Sequence, residues 1–144
     1  MVSVLSPSRS APFRAFLRAA PLALLAACAA PAPAPEPAPD AVDRIAAECA
    51  LLERAETMIG AAGQTAPSGL REGCPGVSAR DTRALDEQMA SLRAATGAPL
   101  PPGVQPGSRA ETVYRRMITR GVPVSLARQL TGDPLFAIAS HSAT

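Results

Sequence analysis

Three cysteines, one histidine and a scatter of carboxylates are the residues of this 144-residue chain that could do chemistry. A cysteine at 28, 49 or 74 would serve as a nucleophile only beside an ordered base. The one histidine, His141, lies close to the end of the chain, where chains often fray. Neither a Ser-His-Asp triad nor a base for Cys74 is therefore at hand. No Gly-x-Ser-x-Gly occurs, and the absence of lysine excludes Schiff-base chemistry, a P-loop and a Ser-Lys dyad. Glu53 with Glu56, and Asp86 with Glu87, are the acid pairs on offer, and both read more simply as exposed helix residues. Cys49 and Cys74, with no second histidine, do not make a zinc set. The expectation is a protein that is not an enzyme and holds no metal or other cofactor.

The third cysteine, Cys28, sits in a different context. Arg9, Arg14 and Arg18 precede it, with no acidic residue before Glu36. The apolar run "AAPLALLAA", residues 19–27, is far shorter than the roughly 20 apolar residues of a spanning helix. A basic segment, a short apolar core and small residues at its end read as a secretory signal. Leu25-Ala26-Ala27-Cys28 resembles the lipobox of bacterial lipoproteins, with Leu at −3, small residues at −2 and −1, then Cys. The resemblance covers residues 1–28 only. It implies a diacylglyceryl group on the Cys28 sulfur, cleavage before Cys28 and acylation of the new amine. Ala29 at +2, in place of Asp, resembles lipoproteins sorted to the outer membrane. A plain secretory signal with an incidental cysteine is the other reading.

The run Ala29–Pro39 holds five prolines in eleven residues. Proline fixes φ and removes a donor, so the run belongs in extended polyproline II, about 34 Å long. It would act as a spacer between Cys28 and a domain at 40–144. Once Arg9, Arg14 and Arg18 leave with the signal, eleven arginines face twelve carboxylates, which gives no strongly basic polyanion binder. Residues 40–144 hold only 20 Leu, Ile, Val or Phe, and Tyr114 and Phe136 are their only aromatics. Such a thin core needs a staple. With Cys28 lipidated, Cys49 and Cys74 are an even remainder in an exported chain, which implies a disulfide. Closing that loop would contribute roughly 3.5 kcal/mol in the chain-entropy model.

The elements that must position these residues read as helices. The first is 40–60, N-capped by Asp40, with Val42, Ile45, Cys49, Leu52 and Ile59 on one stripe and Gly60 and Gly63 as stops. The second is 79–96, with Ser78 and Asp81 as a capping box and Leu85, Met89 and Leu92 as its apolar stripe. A proline-rich connector, 98–107, follows. Ser108 and Glu111 form the capping box of the third helix, whose Val113, Tyr114, Met117 and Ile118 face the core and which stops at Gly121. A fourth helix spans 123–131 and a last turn 135–140. The fold class is all-α, a small loose bundle of three to five helices behind a disordered signal and linker.

"TRGVPVSLARQLTG", residues 119–132, resembles the turn and second helix of helix-turn-helix DNA-binding modules, with Gly121 at the turn and Ala127 at the helix contact. Ser125, Arg128 and Gln129 would be its few readers, and an exported chain does not meet the chromosome. Arg109, Arg115, Arg116 and Arg120 on the third helix face Glu111 alone. They read as a solvated face, or as a contact for an envelope protein or anionic lipid. The expected protein is a small lipid-anchored envelope lipoprotein with a structural or interaction role, held at the outer membrane facing the periplasm and binding no nucleic acid. An envelope or cell-wall enzyme is the alternative, and a cytosolic helix-turn-helix module a third if the chain is not exported.

Overall fold

Asp40 starts the first helix in the way its side chain dictates. In the computed structural model, which describes residues 39–142, Asp40 Oδ1 accepts the amide of Asp43 at 2.8 Å and Asp43 reaches back to the amide of Asp40. The signal, the lipobox Leu25–Cys28 and all but the last residue of the spacer lie outside the described residues. Five helices follow, with no strand among the described residues: α1 Ala41–Ala61, α2 Leu85–Gly97, α3 Arg109–Thr119, α4 Val124–Leu130 and α5 Pro134–Ala139. The class is all-α.

The buried face of α1 is Ala47, Glu48, Leu51, Leu52, Ala55 and Ile59. The stripe read from the large apolar residues is therefore wrong at its start, because Val42 and Ile45 are 71% and 52% exposed. The reason is packing distance. Alanines at 47 and 55 let other helices approach closely, and α1 packs mainly on the short α5. Gly60 does not end the helix but lies inside it, whereas Gly63 is the stop expected of it: at φ 72° it follows the C-cap Ala62 and donates to the carbonyl of Gly60, and Gln64 donates to that of Ile59.

α2 starts at Leu85, six residues later than the sequence predicts. The expected box between Ser78 and Asp81 does not form, because Asp81 is committed elsewhere. Its carboxylate accepts from Arg83 Nη2 at 2.6 Å and Nε at 3.0 Å, and its amide donates to Glu72. Thr82 donates its amide to Ser68 Oγ at 3.1 Å. Residues 79–84 thus stay outside the helix, held to the preceding loop, and α2 begins at Leu85 after Ala84, which gives no side-chain cap. Only Ala95 of α2 is buried, so Leu85, Met89 and Leu92 are not a core stripe.

α3 is the centre of the core, with Val113, Tyr114, Met117 and Ile118 buried as their spacing requires. Ser108 Oγ accepts the amide of Glu111 at 3.2 Å. Glu111 does not return to Ser108, as a full box would have it, but reaches one residue further to the amide of Gly107. α4 starts one residue after Pro123, and α5 is capped by Asp133, whose Oδ1 accepts the amide of Leu135 at 2.9 Å. The other oxygen of Asp133 meets Arg54 of α1 at 3.0 Å.

Between α1 and α2 runs a long segment of turns. The structure joins Cys49 of α1 to Cys74 in the middle of that segment, with the two Cα atoms 5.6 Å apart. Gly69, at φ 77°, lies against Asp81: a Cβ there would stand 2.5 Å from Cβ and 2.6 Å from Cα of Asp81. Two outcomes are expected in urea unfolding at neutral pH. The double variant Cys49→Ser/Cys74→Ser should lose about 2–4 kcal/mol of stability. Gly69→Ala should lose about 1–3 kcal/mol, because both its backbone conformation and its space are denied to a methyl group.

Candidate functional site

The four arginines of α3 read from the sequence as a contact face do not lie free. Arg109 donates from Nε to the carbonyl of Ala139, at the end of α5, at 2.9 Å. Arg115 pairs with Glu111 at 2.6 Å and turns Nη1 to the carbonyls of Ala95 and Thr96 at the end of α2. Arg116 crosses to α1, where Nη1 donates to both carboxylate oxygens of the buried Glu48, at 2.8 and 2.9 Å. Arg120 donates to the carbonyls of Glu72 at 2.6 Å and Leu70 at 3.3 Å, close beside Cys74. The face is used to tie the fold together.

Arg83, which sequence reasoning missed, does the same for α3. Besides Asp81, it donates to Ser91 Oγ at 3.0 Å and to the carbonyl of Thr119, at the end of α3, at 3.1 Å. The last carbonyls of a helix have no partner inside it. The backbone amides that follow each helix meet some of these, and an arginine from another element meets the final carbonyl of α3 (Arg83 on Thr119) and of α5 (Arg109 on Ala139), while Arg115 meets Ala95 and Thr96 of α2. A signal was available: neither α2 nor α5 has a basic residue in its own last turn.

The candidate chemistry is dispersed. His141 follows α5 and is exposed. Glu53 and Glu56 both face Arg71, at 3.6 and 3.5 Å. Asp86 and Glu87 stand exposed in the first turn of α2. Among the described residues no three or more His, Cys, Asp or Glu converge as a metal set. In the α3–α4 corner Gly121 takes φ 97° and Ala127 is fully buried, while Ser125, Arg128 and Gln129 are exposed. Arg115, Arg116 and Arg120 donate toward α2, α1 and the loop.

One concavity is an open groove of about 510 Å³. Leu85, Met89 and Leu92 of α2 form one wall, and Arg116, Thr119 and Arg120 the other. Comparison of the chain with protein-family models, with curated proteins and with solved structures finds no match.

Two carboxylates are shifted by these ties. Asp81 is held below its ordinary value of 3.8, chiefly by the hydrogen bond from Arg83, with burial opposing. Glu111 is held below its ordinary 4.5, chiefly by Arg115 and then by the amide of Gly107. A depressed carboxylate adds stability above its unfolded pKa and loses it as the pH falls through the folded one. The contribution of these two groups should stay level from neutrality down to about pH 5 and decline below it. Urea unfolding across an acid series should show that decline, and Asp81→Asn should make it shallower. An identical slope in the variant would contradict the assignment.

Proposed function

We propose that the protein is a small lipid-anchored lipoprotein of the cell envelope, whose helical domain has a structural or protein-interaction role. The observation that carries this reading is Leu25-Ala26-Ala27-Cys28 at the end of a short apolar run behind three arginines. The Pro-Ala run that follows suits a spacer between membrane and domain. The disulfide between Cys49 and Cys74 supports an oxidising compartment. No described helix is long and apolar enough to cross a membrane, so attachment would rest on acyl chains at Cys28. Ala29 at +2 favours the outer membrane, facing the periplasm. The dispersed acids, the exposed His141 and the inward use of the arginines favour a role in binding or structure over catalysis.

The test is the intact mass of the protein from the membrane fraction, with and without reductant. A chain beginning at Cys28, heavier by a diacylglyceryl group and an acyl chain and gaining two protons on reduction, is expected. Cys28→Ser should abolish the added mass and release the chain from membranes. A soluble chain retaining Met1 with three free thiols would overturn the reading.

A further inference from the structure

α2 carries three distinct strips around its circumference. Gln88 donates to the carbonyl of Arg83, Ser91 accepts from its guanidinium, and Ala95 is buried, so this strip faces the domain. A quarter-turn further round come Leu85, Met89 and Leu92, which are 72%, 42% and 46% exposed. Their i, i+4, i+7 spacing is that of anchors on one helix face. Beyond them, on the outer flank, stand Asp86 and Arg93, both exposed and in no ion pair among the described residues. Seven residues separate the two along the helix, about 10 Å, so they are too far apart to pair with each other.

The charges select what covers the apolar strip. Asp86 and Glu87 at one end disfavour an anionic lipid surface, and Arg116 and Arg120 across the groove are already engaged by Glu48 and by the carbonyls of Glu72 and Leu70. The pattern of acid, apolar line and base is instead complementary to itself when reversed. Laid antiparallel on a second α2, Met89 meets Leu92 of the second copy, and Leu92 meets its Met89. The same register brings Asp86 of each copy beside Arg93 of the other, so two ion pairs flank the seam on its outer side. A twofold arrangement closes on itself, with the same surface used on both chains.

We propose that two copies of this chain associate through α2, antiparallel, with Leu85, Met89 and Leu92 as the seam and Asp86–Arg93 as the pair that sets direction. This goes beyond the envelope reading and does not depend on it.

Sedimentation equilibrium of the full chain in a density-matched detergent tests the proposal. The wild type should sediment as two chains, and Met89→Glu, a change at an exposed position, as one. Asp86→Arg alone and Arg93→Asp alone should each weaken pairing about tenfold or more, because each sets like charges together twice. An equal mixture of these two variants should pair as the wild type does, since every flanking contact then joins Arg to Asp. That restoration would also show that both variants are folded. A wild type that sediments as one chain at every concentration, pairing that survives Met89→Glu, or a mixture that fails to restore pairing would overturn the proposal.

Discussion

The last carbonyls of a helix must find donors outside it. In this domain the backbone amides that follow meet many of them, and arginines from other elements meet the ones left over, one at the end of α3, one at the end of α5 and two at the end of α2, which ties these three helices to one another. Arg115 of α3 holds the end of α2, Arg109 of α3 holds the end of α5, and Arg83 ahead of α2 holds the end of α3. Each tie satisfies a backbone group and fixes a crossing at once. A planar guanidinium with five donors can meet a carboxylate and a carbonyl together. Arg83 does so with Asp81 and Thr119, and Arg115 with Glu111 and Thr96. In a domain whose only described aromatics are Tyr114 and Phe136, such ties stand in for the large side chains that usually fix how helices cross.

The same logic governs the segment between α1 and α2. Its turns bury Leu70 and Cys74 but have no sheet or helix to satisfy them. The disulfide fixes its middle to α1, and Arg120 donates to the carbonyls of Leu70 and Glu72, just ahead of Cys74. Gly69 then lets Asp81 lie close against it. Covalent bond, guanidinium and glycine act on one short stretch, and together they bring Arg83 to where it reaches Thr119.

Much of the helix plan was legible because local chemistry decides it. Asp40 and Ser108 are strong caps, and the spacing of Val113, Tyr114, Met117 and Ile118 admits one buried face. The failures lie where another partner outbids the signal that was read. Asp81 resembles the partner of Ser78 in a capping box, but Arg83, only two residues on, engages it, and the start of α2 moves accordingly. Val42 and Ile45 fit a stripe, but the face was chosen by alanines whose value lies in how near they let another helix come. The arginines of α3 looked like one charged face, because sequence spacing shows where side chains emerge and not the carbonyls waiting beyond them. Leu85, Met89 and Leu92 were correctly seen as a line, although what they face is not the core.

Arginine ties have one property that lysine ties would lack. A guanidinium keeps its proton above pH 12, whereas an amine gives it up near 10.4. The chain has no lysine, so none of its cross-helix cations is switched off in alkali. An alkaline wash of membranes, which strips proteins held by charge and unfolds many others, would leave these ties in place. If the chain is anchored as proposed, whether it stayed or left under such a wash would then report on that anchor, uncomplicated by loss of the domain's own cationic bonds.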